Sequence, residues 1–337
     1  MLFLLLSNFN YLINIQYGMI SKDYLYTDIY TNVSDFQIEE NSLYIYGDSE
    51  EERGGLIADY HLSRTSGVNF MCLRLDDEDY DIAFDLSGNA YNLRNVNDIC
   101  TLINNLSEPE LIYLDVTVLP ERIIAPIMQY AYAGNIEVRI IYVEPHTYKV
   151  GEFEKVGIYH NSASEINGIA PLPGFIRINS DDNSDISSKL VVFVGFEGGR
   201  FVHIYEQYDI SGDNILPIIG VPGYRIEYPF LTLWGNRQVI NSSGAWRNIK
   251  YCIANSIVDA YCCLNSIMKI EPNVMIKLVP IGTKPHTVAA LAFALTHPSQ
   301  IEIIYDNPKY FQRKTCGVGS IIETKLNRLM AGETVNG

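Results

Sequence analysis

Twice along this chain a short apolar strand, a small polar loop, a proline-opened helix and a second strand follow one another, and both units end in Tyr-x-x-Pro. In the first unit, 111–116 (LIYLDV) leads through Thr117 and Val118 to a helix expected to open near Pro120 and stop at Gly134. A strand over 137–143 follows and carries Tyr142 to Pro145. In the second unit, 274–281 leads through Gly282, Thr283 and Lys284 to a helix opening at Pro285, then to a strand over 301–305 that leaves through Tyr305 to Pro308. Proline suits a first helical turn, where its missing N–H would have no partner, and glycine suits a helix stop. Upstream, each unit has a strand that ends in glycine with an arginine shortly after it. These are 42–47 (SLYIYG) with Gly47 and Arg53, and 190–194 with Gly195 and Arg200.

Strands are also expected over 69–75, 215–220 and 249–254, with helical stretches from about Ser49 to Leu62 and from 201 to 208. Several strands are continuous apolar runs, which fits sheets covered on both faces. The order predicts an α/β fold of two related Rossmann-like halves with mainly parallel sheets, read as an internal duplication. The expected divisions are an N-terminal extension over 1–40, a first half over 41–150, a linker region over 151–188, a second half over 189–310 and a tail over 311–337. The most linker-like piece is 180–188 (SDDNSDISS). The second half carries an apparent insertion over 223–248, rich in Tyr224, Arg225, Tyr228, Phe230, Trp234, Arg237, Trp246 and Arg247. It is expected to be a packing flap, or a cover that offers stacking and guanidinium groups to a ligand.

Composition narrows the function. A chain of 337 residues can bury two cores of ordinary size. Its net charge of −16 argues against non-specific nucleic-acid or anionic-membrane binding, which needs clustered Lys and Arg. A small anion stays open, because backbone N–H groups and one or two cations can hold it locally. Six cysteines occur without a CxxC pair and read as small hydrophobes in a reducing compartment. The histidines are scattered, so neither a metal nor a cofactor is expected. The opening apolar burst has no Lys or Arg before it, and Asn8, Asn10, Asn14 and Gln16 break it short of the roughly 20 residues of a span. A cytoplasmic protein without signal or anchor is expected, with Met19 a candidate initiator.

In open α/β sheets ligands sit outside the carboxyl ends of the strands. Two second-half loops fit that position: 195–200, with Gly195, Glu197, Gly198, Gly199 and Arg200, and 282–286, with Gly282, Thr283, Lys284 and His286. The latter opens a helix, where free N–H groups and the dipole favour an anion. The first half offers Asp48, Ser49 and Arg53 on one loop and Asp115, Thr117 and Arg122 on the other. Asp115 is open to use as a general base, a hydroxyl acceptor or, most commonly for such a residue, a helix cap. Asn255 and Ser256 stand at a further strand-to-helix junction, where capping is expected. No GxSxG and no Cys–His pairing marks a nucleophile.

The strand, Gly282-Thr283-Lys284-Pro285, Ala-rich helix and strand over 274–305 resemble the late motif of the CRISPR-associated Rossmann-fold (CARF) sensor domains. The resemblance extends over about 190–308. It implies binding of cyclic oligoadenylates, usually across a dimer, with Gly282, Thr283, Lys284 and Arg200 as contacts. The chain departs from the family in showing no nuclease or other effector signature after Pro308. Three readings follow. The first is a sensor or binding module for a nucleotide-like anion in a regulatory or phage-defence setting. The second is an enzyme on a nucleotide or sugar phosphate, with Asp115, Glu197 or His286 as acid–base groups. The third is a scaffold that uses the aromatic stretch as an interface. A homodimer and a protein partner are both open.

Overall fold

The computed structural model describes residues 25–104, 108–148, 165–166, 168–175, 188–208, 210–309 and 315–332. Met19, the first 18 residues and most of the expected linker, including 180–187, lie outside the described residues. The first half contains β1 (Thr27–Tyr30), β2 (Ser42–Gly47), β3 (Val68–Leu75), β4 (Ile82–Asp85), β5 (Ala90–Asn92), β6 (Leu111–Asp115) and β7 (Glu137–Tyr148). Its helices are α1 (Leu56–His61), α2 (Val96–Asn104) and α3 (Glu121–Ala133). After a short β8 (Glu165–Ile166), the second half contains β9 (Ser188–Val194), α4 (Gly198–Gln207), β10 (Ile215–Gly220), α5 (Tyr228–Ser243) and β11 (Lys250–Cys252). It continues with α6 (Ile257–Ile270), β12 (Met275–Pro280), α7 (Lys284–Thr296) and β13 (Ile301–Ile303). The chain then forms β14 (Pro308–Lys309), β15 (Thr315–Lys325) and α8 (Leu326–Ala331).

The second sheet, β11-β10-β9-β12-β13, is parallel throughout. The first has the order β1-β15-β7-β6-β2-β3-β4-β5, and its central four strands are parallel. Those four, β7-β6-β2-β3, match β13-β12-β9-β10 in order and direction. The halves part at one edge, where antiparallel β4 lies beside β3 and parallel β11 lies beside β10. Alternating side chains explain the continuous apolar runs. Leu43 and Ile45 of β2 and Val191 and Phe193 of β9 enter one core that spans both halves and takes in α3 and α7. Tyr44 and Tyr46 face a second cluster with Phe36 and Ile57, and Leu190 and Val192 face a third with Phe201 and Val239. Both faces of each sheet are covered, as parallel sheets require.

Small details repeat as well. A Cβ on Gly47 would lie 3.0 Å from the Leu119 backbone, and one on Gly195 would lie 2.5 Å from the Ile281 carbonyl oxygen. In each half, therefore, only glycine lets the first strand end meet the loop after β6 or β12. Arg53 sits over Tyr142 and Arg200 over Tyr305, each guanidinium carbon 5.7 Å from the ring centroid.

Four expectations change. The helix placed from Ser49 begins at Leu56, because Gly55 takes φ +73° and turns the chain only there. The strand placed over 137–143 runs on through Pro145 to Tyr148. Pro145 is accommodated opposite Val318, beside a register shift in β15, where a ladder bond is not needed. The aromatic stretch 223–248, expected as a flap or cover, contains the crossover helix α5 that joins β10 to β11. Finally, residues set apart as a tail form β15 and α8, and β15 covers the edge of β7 while β1 pairs on its far side. Among the described residues no helix is long and apolar enough to cross a membrane.

Candidate functional site

The carboxyl ends of the parallel strands in both sheets open onto one cavity of about 630 Å³. Every parallel strand but short β11 ends in a segment that lines it directly, and β11 contributes Ala254 two residues on. The lining includes Ser49 to Glu51 and Arg53 after β2, Asp76, Asp77 and Tyr80 after β3, and Thr117, Val118 and Pro120 to Arg122 after β6. From the other half come Gly195, Phe196, Glu197 and Arg200 after β9, Gly220 and Tyr224 near β10, Gly282 to Lys284 with His286 after β12, and Tyr305 and Asn307 after β13. The volume lies within the usual range of small-molecule sites.

Of the second-half candidates, Gly195, Glu197, Arg200, Gly282, Thr283, Lys284 and His286 line the cavity; Gly198 and Gly199 open α4 without lining it. Of the first-half candidates, Ser49, Arg53, Thr117 and Arg122 line it, whereas Asp48 and Asp115 do not. Asp115 is buried, accepts from the Tyr44 hydroxyl at 2.9 Å and from the Thr117 amide at 3.0 Å, and burial raises its pKa. It organises the β6 loop from behind. Thr117 is similarly employed, its Oγ1 accepting from the Val143 amide at 2.9 Å.

The cations are engaged with protein groups. Arg200 makes a two-pronged pair with buried Asp306, Nη2 to Oδ1 at 2.6 Å and Nε to Oδ2 at 2.9 Å, and stands 3.5 Å from Glu197. Arg53 pairs with Glu51 at 3.0 Å and donates to the Val143 carbonyl at 2.9 Å. Arg122 pairs with Asp81 and donates to Asn307 Oδ1 at 2.6 Å, joining the two halves. Lys284 also crosses the cavity, donating to the Leu119 carbonyl at 2.6 Å and to Glu121 Oε1 at 2.8 Å. Glu121 is held at a pKa of about 2: burial works the other way, but Lys284 overcomes it. Glu50, Glu51, Asp76, Asp77, Glu121 and Glu197 line the cavity against Arg53, Arg122, Arg200 and Lys284, so its wall is net acidic.

At the opening of α7, Thr283 caps the helix, accepting from the His286 amide, and its hydroxyl donates to the Ala254 carbonyl at 2.6 Å. His286 lies beneath the floor with no exposed surface, stacked on Phe193 at 4.8 Å. Burial lowers its pKa to about 4, so its ring is neutral at physiological pH. Ser256 caps α6 as expected, its Oγ accepting from the Asp259 amide at 2.9 Å, while Asn255 reaches Glu144 of the first half.

The sequence offered Tyr224 and Tyr228 as stacking groups, but reasoning from it missed the other half of the aromatic wall, Tyr148 and Phe196, and the carboxylates that occupy the cations. Tyr148, Phe196, Tyr224 and Tyr228 pack around one side of the cavity in edge-to-face and tilted pairs, with ring centroids 5.3–6.0 Å apart. Tyr224 and Tyr228 thus turn inward, while Phe230, Trp234 and Trp246 of the same stretch are exposed. Glu121 had a readable signal, an acidic residue directly after a helix-opening proline; Asp306 and Tyr148 had none short of the tertiary arrangement. Among the described residues no cluster of His, Cys, Asp and Glu is arranged to hold a metal. Comparison with protein-family models, with curated proteins and with solved structures returns no match to this chain.

Proposed function

We propose that the chain is a binding module for a nucleotide-like ligand, seated between its two halves. The carrying observation is the single cavity onto which the parallel strand ends of both sheets converge. The tyrosine-rich wall offers edges and faces for a base. The opening of α7 with Lys284 offers a phosphate position. Because Lys284 already holds Glu121, a phosphate must replace that carboxylate, and in doing so it loosens a tie between the halves. This is the step by which a sensor of the CARF kind would report occupancy, in the regulatory or phage-defence setting that the resemblance implies. The shared strand order and the paired Arg–Tyr contacts support a duplicated origin, with the second half keeping the phosphate position.

Thermal shift with the full chain against AMP, ADP, cyclic oligoadenylates and sugar phosphates tests this, since a ligand of the native state at 100 times its Kd adds about 2.7 kcal/mol. Lys284→Ala is expected to weaken a phosphate-bearing ligand about 10- to 100-fold, the loss of a charge-assisted hydrogen bond. Glu121→Gln is expected to tighten the same ligand while leaving the parent nucleoside unchanged. A panel without any shift, or equal affinity in wild type and Lys284→Ala, rejects the proposal.

A further inference from the structure

The polar atom of the cavity with the most to gain from a ligand is Nδ1 of His286. On the other side of the ring, Nε2 lies 3.1 Å from the Ile253 carbonyl oxygen and 3.3 Å from Cys252 Sγ. A carbonyl only accepts, so Nε2 carries the proton. In the neutral ring Nδ1 is then a bare acceptor. It is buried and has no hydrogen-bond partner, an unfavourable state that a ligand donor would relieve.

Its surroundings aim it at the ligand position. A Cβ on Gly282 would lie 3.1 Å from Nδ1, and one on Gly220 would lie 3.5 Å from the adjacent ring carbon Cε1. Both glycines line the cavity together with His286, so no side chain of either stands beside the Cε1–Nδ1 edge. Phe193 fixes the ring plane from below, and the Ile253 carbonyl fixes the tautomer. His286 is in the first turn of α7, two residues from Lys284, so the acceptor and the phosphate position belong to one helix opening.

We infer that His286 Nδ1 is a ligand contact that accepts a hydrogen bond from a hydroxyl or amine of the ligand, giving the cleft a preference for donor-bearing nucleotides. The inference rests on the nucleotide-binding reading above. A sugar hydroxyl and a base amine are the two sources of such a donor. A site built around an acceptor rejects analogues without the matching donor, because the acceptor is then left buried and unpaired.

The test compares AMP with 2′-deoxy-AMP, 3′-deoxy-AMP and purine riboside monophosphate, which lacks the amine, by calorimetry on the full chain. Wild type is expected to bind AMP about tenfold more tightly than the analogue missing the donor, and that analogue identifies the source. In His286→Gln, which keeps a donor near the Nε2 position for Ile253, the ratio falls to about one. Gly282→Ala, which sets a methyl over Nδ1 with the histidine intact, is expected to give the same collapse. His286→Asn, with an acceptor oxygen near the Nδ1 position, restores part of the preference. If wild type binds AMP but treats all four alike, or keeps its preference in both His286→Gln and Gly282→Ala, the histidine is a packing residue and the nucleotide reading survives alone. No binding of AMP at all overturns both.

Discussion

Arg200→Ala is expected to lose about 3–5 kcal/mol of folding free energy, one of the largest single-residue losses in the molecule. The guanidinium makes two hydrogen bonds to Asp306, whose side chain has no exposed surface, so truncation leaves an uncompensated carboxylate inside the protein. Denaturant unfolding of wild type and variant gives the difference directly. Adding Asp306→Asn in the Arg200→Ala background is expected to recover more than half of it, because no charge then remains buried. A loss below about 1 kcal/mol, or no recovery in the double variant, means that the pair is solvated and free to serve a ligand. The result also bears on function. The sequence offers Arg200 as an anion contact, while the structure commits it to the β13 loop, so its loss should act on stability first and on binding only through the displaced loop.

A second large effect is acid lability between pH 6.5 and 4. His286 is buried neutral, with its pKa lowered to about 4, while in the unfolded chain it titrates at its ordinary value of 6.5. As pH falls through this window the unfolded state takes up a proton that the folded state refuses. Stability is therefore complete above pH 6.5 and declines towards pH 4, by on the order of 3 kcal/mol for this group alone. Glu121 extends the decline: its depressed pKa of about 2 means that stability from the Lys284 pair is present above the ordinary value of 4.5 and is lost as pH falls towards 2. Asp115, raised by burial, works in the opposite direction. The informative quantity is hence the slope. Urea unfolding at intervals from pH 7 to 4 should show a steeper fall in wild type than in His286→Gln, and parallel slopes would mean that His286 is solvated in the native state. A ligand donor on Nδ1 further disfavours protonation, so bound protein should resist acid better than free protein.

What could be read from the amino-acid order was the local frame. The apolar runs of β2, β6, β9 and β12, the prolines that open α3 and α7, and the glycines that end β2 and β9 are properties of a few adjacent residues. Local chemistry dictates them wherever the chain lies. From that frame the strand-end loops followed, and most of the candidate cavity residues with them. The tertiary structure decided the rest, because it turns on partners far away in sequence. Strand β15 pairs with β7 across more than a hundred residues, with glycines and polar positions that carry no strand pattern of their own. Lys284 looked free until Glu121 and the Leu119 carbonyl met it across the cavity, and Arg200 until Asp306 did. Asp115 was open to acid–base or structural use until Tyr44 closed over it and settled the structural one. The sign and availability of a charge depend on the dielectric and the partners around it, and a linear sequence fixes neither before the two halves fold onto one core.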